Sequence, residues 1–200
     1  MKKSILIILM AVLGLAPMTA QINKRTYSNM GWQFNAPIAN DFVDKAQGYG
    51  AYYQGGYYFA PYWAVGGFIS YNSNNGYIPT QTYVFDDGTA VTTDMHHSLY
   101  QVPFGATLRY RFSRSIFQPY IEAKVGTVYS TQGRYLSVYM REFTNWGFYI
   151  SPEIGFSVHP FYLEDFGFHF SLYYSYSTNQ NEFYGIGGLN NLGFKLGIAF

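Results

Sequence analysis

Three residues in the last third of the chain have side-chain types that can do hydrolytic chemistry. His169 and Ser171 stand two residues apart, and Glu182 follows eleven residues after Ser171. A histidine can take the proton of a serine hydroxyl while a carboxylate orients the ring, and the serine then attacks an ester or amide. An ester-cleaving site is therefore one hypothesis, provided that the elements carrying these residues bring them together.

A second polar group, Asp94, His96 and His97 in the stretch "DMHH", has donor types found in metal sites. Zinc sites need three or four nitrogen, sulfur or carboxylate ligands held in one place. A lone loop cluster without a further ligand is usually a set of solvated side chains, and the chain has no cysteine to supply a thiolate. The sequence therefore predicts no metal and no cofactor.

The segments that carry these residues alternate with a period of two. In "FGFHFSLYYSY" the large apolar residues fall on one face, with His169 and Ser171 on the other, and "YQVPFGATLRYRF" and "WGFYISPEIGFSV" repeat the pattern. A period of two is typical of β-strands with two different faces. It predicts eight strands, at roughly 29–37, 48–60, 62–72, 100–112, 115–129, 146–158, 166–176 and 190–200.

The connections between the predicted strands differ in length. Short links, "FAPYW", "SRS" and "HPFYLEDFG", join strands two to three, four to five and six to seven, and the other links are longer and more polar. This asymmetry is typical of bacterial outer-membrane barrels. We predict an all-β fold, an eight-stranded antiparallel up-and-down transmembrane β-barrel with short periplasmic turns and long extracellular loops.

The longest loop, residues 72–97, contains two β-rich runs, "TQTYVF" and "TAVTT", around "DDG". Glycine accepts the positive φ that a tight hairpin turn needs. We therefore expect strands three and four to continue past the membrane as a protruding hairpin, which leans on the neighbouring loop that contains "RYLSVYM".

The composition favours a barrel in lipid over a barrel in water. Charged residues make up 12% of the chain and aromatic residues 22%, and the apolar faces carry no Lys, Arg, Asp or Glu between the strand ends. In hydrocarbon a sheet must close on itself to pair its backbone groups, so the apolar face points to lipid. The net charge of +1 lacks the basic footprint that nucleic-acid binding would require.

The first twenty residues are predicted to be a secretory signal peptide. Lys2 and Lys3 precede the apolar run "ILIILMAVLGLA", and "PMTA" ends in the small residue Ala20. About 12 apolar residues are too few for a spanning helix, which needs ~20. We predict removal of residues 1–20 and an outer-membrane β-barrel domain over residues 21–200.

Charged residues also fall on the inward face of the predicted barrel. They are Arg109, Arg111, Glu122, Lys124, Glu153 and Lys195. Arg109 and Glu122 flank the same short turn, so a suitable register would join them as a cross-strand ion pair. Side chains fill a barrel of eight strands, and buried charges need partners to offset their desolvation. We interpret the six residues as a barrel-interior polar network; a proton or ion path, or a gate, is the alternative.

The ending "LGFKLGIAF" alternates between Phe194, Leu196, Ile198 and Phe200 and residues that are small or charged. With the export signal, the eight strands and the asymmetric loops, this ending makes the chain resemble the small OmpA/OmpX-like family of outer-membrane β-barrels. The resemblance implies that these four residues act as a C-terminal signal for the outer-membrane assembly machinery. Outer-membrane lipid is the other partner that it implies.

The sequence favours a non-enzymatic outer-membrane protein with a structural role in the envelope or a role in adhesion. A surface protein would then bind through residues 72–97. The spacing of His169, Ser171 and Glu182 is similar to that of lipid A deacylases, but alternation places the first two on the inward face, low in strand seven. Acyl-chain chemistry needs a lipid-facing site near the outer rim. A narrow pore of low conductance is the remaining alternative.

Overall fold

The computed structural model describes residues 25–38, 42–43, 45–84, 88–136, 139–160, 166–181 and 187–200. The strands are β1 (Thr26–Ile38), β2 (Gln47–Tyr58), β3 (Trp63–Val84), β4 (Ala90–Arg111), β5 (Phe117–Leu136), β6 (Tyr139–Val158), β7 (Gly167–Ser177) and β8 (Leu189–Ala199). Each strand pairs antiparallel with the next, and β1 pairs with β8 to close the barrel. The predicted fold is confirmed. Among the described residues, no helix is long and apolar enough to cross a membrane.

The two faces of the strands differ as the alternation predicts. Leu108 on β4 and Ile150 on β6 point outward, with exposed fractions of 45% and 43%. Their neighbours Thr107 and Ser151 point inward and are 4% and 1% exposed. Large apolar residues on the outward face are exposed in an isolated barrel, but lipid covers them when the barrel lies in a membrane.

Inward glycines leave room for tyrosine rings inside the barrel. A methyl group at Gly56 would lie 2.8 Å from the Tyr27 ring, and one at Gly193 would lie 2.6 Å from the Tyr173 ring. Because the backbone oxygens of Val65 and Phe34 lie still closer to these positions, a larger residue at either glycine would overpack the interior. The interior is therefore filled by side chains that cross from one wall to the other.

Four strands are longer than the others and extend beyond the barrel at its upper end, the end opposite the connections 59–62, 112–116 and 159–166. β3 and β4 have 22 residues each and β5 and β6 have 20, whereas the other strands have 11 to 13. β3 and β4 pair up to Val84↔Ala90, and Gly88 beside the turn has a φ of 79°. The protruding hairpin is present as expected.

The sequence predicted a long loop between strands five and six, and this prediction is wrong. β5 and β6 pair up to Leu136↔Tyr139, so only residues 137–138 connect them. β4 also pairs with β5 up to Met95↔Leu136, so the protruding hairpin is supported by a strand rather than by a loop. Tyrosine, threonine and phenylalanine recur through this segment, and these residues favour strands.

Candidate functional site

The predicted inward charges lie near the lower end of the barrel, and five of them form one chain of ion pairs. Arg109 on β4 and Glu122 on β5 are direct register partners, and Arg109 Nε lies 2.5 Å from Glu122 Oε2. Lys124 Nζ lies 3.4 Å from the other oxygen of Glu122. These three side chains are at most 2% exposed, so each charge depends on the others for its stability.

Glu153 on β6 is the centre of this chain. Its Oε2 accepts hydrogen bonds from Lys124 Nζ at 2.5 Å and from Lys195 Nζ at 2.7 Å. Its Oε1 accepts from Tyr120 at 2.7 Å and from Gln54 at 3.3 Å. A carboxylate with four donors has all its lone-pair positions in use.

The two carboxylates stand side by side because Glu122 and Glu153 are register partners across β5 and β6. Like charges directly opposite each other destabilise a sheet. Lys124 offsets this repulsion because its ammonium group lies within 4 Å of both carboxylates. The five charged residues therefore form one interdependent unit.

Arg111, the sixth predicted residue, is not part of this chain. Its guanidinium lies 3.6 Å from the centre of the Tyr58 ring, and its Nε donates to the carbonyl oxygen of Pro61 at 2.9 Å. These contacts hold Arg111 against the connection between β2 and β3, at the lower rim.

His169 is engaged by tyrosines from two other strands and not by Ser171. Its Nε2 lies 2.5 Å from the Tyr120 hydroxyl, and its Nδ1 lies 2.6 Å from the Tyr52 hydroxyl. Because Tyr120 gives its single proton to Glu153, Nε2 of His169 donates to Tyr120 and Nδ1 accepts from Tyr52. Neither ring nitrogen is left to accept a proton from a serine.

Of the other two hydrolase candidates, the structure describes only Ser171. Ser171 is fully buried in the lumen, and its hydroxyl has no hydrogen-bond partner among the described residues. Glu182 lies outside the described residues. The structure thus places His169 and Ser171 inside the barrel, away from the lipid face that acyl-chain chemistry would need.

Buried amide side chains form a second layer above the charged chain, and our sequence analysis did not identify it. Gln33 donates to Asn72 at 2.6 Å and to the Tyr173 hydroxyl at 2.9 Å. Asn35 donates to Asn74 at 2.7 Å and also to Asn191. The alternation that placed the charges inward also places these amides inward, so the sequence pattern could have identified this layer.

An apolar cluster closes the upper end of the lumen. Phe42 and Val43, from the connection between β1 and β2, pack on Leu99 and Leu189, and all four are at most 5% exposed. His97 on β4 fixes this connection, because its Nδ1 lies 2.8 Å from the carbonyl oxygen of Phe42 and the two rings stack 4.3 Å apart.

Among the described residues, these layers occupy the lower, middle and upper levels of the lumen. One small cavity of about 20 Å³, lined by Arg109, Arg111 and Tyr27 among others, lies near the lower end and has room for about one water molecule. An ion crossing the barrel would have to break the charged chain, the amide layer and the apolar cluster in turn.

The candidate metal ligands are not brought together. His96 and Asp94 form an exposed pair on the outer face of the upper sheet, with 3.6 Å between Nε2 and Oδ2. His97 points to the opposite face and is 6% exposed. Burial lowers the pKa of His97, which favours the neutral form of its ring. Within the described part of the chain, no group of three or more His, Asp or Glu side chains could hold a metal ion.

Several solved structures have a similar fold at low sequence identity. Neisserial surface protein A (NspA) is 14% identical over 87% of this chain and 95% of that chain, with a TM-score of 0.57. Ail, the attachment invasion locus protein of Yersinia pestis, in complex with the heparin analogue sucrose octasulfate, is 15% identical over 88% and 100%, with a TM-score of 0.49. The outer membrane protease OmpT from Escherichia coli is 8% identical over 92% and 98%, also at 0.49.

At these identities the similarity concerns the fold alone, and no curated protein sequence matches the chain. The family described as "Outer membrane protein beta-barrel domain" matches residues 5–200. Together with the closed barrel of eight antiparallel strands, this match shows that the chain belongs to the outer membrane protein β-barrel domain family.

Proposed function

We propose that the protein is a non-enzymatic outer-membrane barrel that binds a protein partner through its protruding sheet. Membership of the family gives the bacterial outer membrane as its location. The observation that carries the proposal is the extension of β3 to β6 beyond the level at which the other strands stop. The last β2–β3 pair is Tyr49↔Ser73, whereas β3 continues to Val84. Lipid anchoring does not require this extension, because about 9–11 residues of a tilted strand span a membrane.

The side chains of the hairpin favour contact through its surface more than strand addition at its edge. Pro79 lies on the free part of β3, and the register shifts between Ile78 and Gln81. A proline and a bulge make an edge a poor template for a continuous added strand. Tyr77 and Val84 are 49% and 73% exposed, and exposed tyrosine provides rigid contact area in many binding surfaces.

The charge of the extracellular end supports a partner with a basic surface. In the sequence, residues 39–46, 72–97, 130–145 and 178–188 together contain seven acidic and three basic residues, and five of the acidic residues lie outside the described part of the chain. Such an excess of negative charge steers a basic surface toward the sheet and repels polyanions. We therefore assign the partner to the class of proteins with a basic face, and expect its binding to weaken as salt concentration rises.

Shortening the hairpin tests the proposal. Ile78 and Met95 are register partners, so an Asn-Gly turn in place of residues 79–94 should close the shortened hairpin without changing the strands below. The variant should fold in lipid as the parent does. The shortened variant, refolded in lipid nanodiscs, should lose most of the parent's binding to immobilised extracellular matrix proteins. The double variant Asp94→Asn with Glu142→Gln should lose only the salt-sensitive part of that binding.

Two results would contradict this function. Equal binding by the shortened and parent proteins would show that the hairpin is not the contact surface. Steady ion conductance of the parent in planar bilayers would favour the pore alternative over the filled lumen. The enzyme alternative predicts release of an acyl chain from lipid A, and the contacts of His169 with Tyr52 and Tyr120 argue against it.

A further inference from the structure

A groove on the outward face of the barrel crosses β4 to β7, below the level of the protruding sheet. Its floor is formed by Ala123 on β5 and Pro152 on β6, which are register partners and are both exposed. Its volume is about 590 Å³. The groove exists because two small side chains meet where the surrounding positions hold large ones. The larger side chains around the floor include Leu108, Ile121, Ile154, Leu172, Tyr174 and Leu192.

The surface of the groove is apolar. Glu122 and Glu153 also border it, but their side chains are 0% exposed and belong to the charged chain in the lumen. Only the backbone of these two residues therefore faces outward. A ligand in the groove meets hydrocarbon side chains, and a charged or strongly polar group placed there would lose its solvation without gaining a partner.

Pro152 costs the sheet a hydrogen bond, and the fold replaces it. Proline has no N–H, and no register pair joins β6 to β7 at Ser151 or Pro152. The Ser151 hydroxyl donates to the carbonyl oxygen of Tyr174 on β7 at 2.7 Å, so this oxygen keeps a donor. A carbonyl oxygen without a donor is costly in hydrocarbon. Because Ser151 supplies the donor, proline is compatible with this level of the membrane and the groove is a stable part of the barrel wall.

The position of the groove along the strands assigns it to the periplasmic leaflet. Trp63 and Tyr110 line its lower edge, with their ring centres 4.9 Å apart. Trp63 is the first residue of β3 and Tyr110 is the last but one of β4, and aromatic side chains at strand ends lie at the level of the headgroups. Leu108, the register partner of Ala123, lies two residues further from the lower end. The floor of the groove is therefore within the hydrocarbon layer.

We propose that the groove holds one acyl chain of a phospholipid of the periplasmic leaflet, with the headgroup beside Trp63 and Tyr110. Acyl chains are the medium that surrounds this face of the barrel, so the occupant is always at hand. A chain in the groove contacts the protein on its floor and its sides, whereas a chain on the convex wall contacts it on one side. Dispersion contacts add up, so the chain in the groove exchanges with the surrounding lipid more slowly. This inference does not depend on the protruding sheet, so either proposal can fail without the other.

Native mass spectrometry of the purified protein in a non-ionic detergent tests the groove with three probes: dipalmitoyl phosphatidylcholine, dipalmitoyl phosphatidylglycerol and dihexanoyl phosphatidylcholine. We expect one retained dipalmitoyl lipid per barrel with either headgroup, and loss of the short-chain lipid. Ala123→Leu fills the groove and should lower the retained fraction about fivefold, as expected when about five to ten dispersion contacts are lost. Leu172→Ala, which lowers one wall of the groove, should weaken retention as well.

Ala106→Leu is the matched control, because Ala106 is exposed on the outward face of β4 and does not line the groove. This variant should retain the lipid as the parent does. The groove is overturned as the site if Ala123→Leu and Ala106→Leu retain equal amounts, or if the parent retains no lipid.

Two other results would overturn the assignment to an acyl chain. Retention that follows the headgroup and not the length of the chain would show that the headgroup is what the protein binds. A parent dimer that becomes a monomer in Ala123→Leu, with no lipid retained, would assign the groove to a contact between two copies of the chain, since small residues allow close approach in a membrane.

Discussion

Replacing Glu153 by glutamine is the most direct perturbation of the charged chain. The change keeps the size of the side chain and an oxygen for Tyr120 and Gln54, but it removes the negative charge. Lys124 then keeps Glu122 at 3.4 Å, whereas Lys195 loses the only carboxylate within 4 Å that the described residues provide. Breaking a buried ion pair from one side costs about 3–5 kcal/mol, and we expect a loss of stability of this size.

A second substitution distinguishes a lost charge partner from lost packing. Adding Lys195→Met to Glu153→Gln removes the unpaired cation, so the double variant should regain a large part of the stability. Glu142→Gln is the surface control: its carboxylate accepts a 2.8 Å hydrogen bond from Tyr135 in water, and its loss should cost less than about 1 kcal/mol.

The assay is a urea titration of the protein folded in phospholipid vesicles. The folded fraction is read from tryptophan fluorescence and from the gel mobility of unheated samples. The reasoning is refuted if Glu153→Gln costs no more than Glu142→Gln. It is also refuted if Glu153→Gln and Lys195→Met together cost the sum of their separate effects, because the two residues would then act independently.

Three further predictions address the lipid face, the C-terminus and the upper end of the lumen. Leu108→Arg should cost about 2–4 kcal/mol in the same titration, whereas Thr107→Ser on the inward side keeps its hydroxyl and should cost under about 1 kcal/mol; equal costs would reverse our assignment of the faces. Phe200→Ala should lower the amount of barrel assembled in cells much more than it lowers the urea midpoint of refolded protein, and equal assembly would contradict the signal. Burial lowers the pKa of His97 below its unfolded value of 6.5. The stability that the neutral ring contributes to the folded state is therefore present above that pH and is lost as the pH falls toward the folded-state pKa. The methyl NMR signals of Val43 should shift over that acidic range, and unchanged signals would show that the His97 ring does not hold the connection between β1 and β2.

The sequence predicts the membrane-spanning part of the fold well because lipid makes the two faces of each strand chemically different. A one-residue slip would turn Leu108 inward and Arg109 toward lipid, so the pattern fixes which face is which. Above the membrane both faces of the sheet meet water or polar groups, and this difference disappears. Charged residues such as Arg134 and Arg141 then occur within strands, which is why the upper parts of β5 and β6 lack the apolar alternation of a membrane strand.

The charged chain was partly predictable for a related reason. Arg109 and Glu122 lie at similar distances from one short turn, so counting along a hairpin suggests their pairing, and the structure places them opposite each other. The contact between Lys195 and Glu153 crosses the lumen between strands that are not neighbours. No local pattern encodes such a contact, because it depends on the diameter of the barrel and on the length of each side chain.

The hydrolase hypothesis shows how the neighbours of a residue decide its chemistry. Residues two apart on a strand share a face but stand about 6.6–6.8 Å apart along it, so the spacing of His169 and Ser171 does not create a hydrogen bond between them. Tyr52 and Tyr120 come from two other strands and bind both nitrogens of the ring. In a narrow barrel, the interior side chains meet across the lumen more than along the strand. A motif on one strand therefore indicates an active site only when the opposite walls leave its residues free, and here the tyrosines make His169 part of the same network as Glu153.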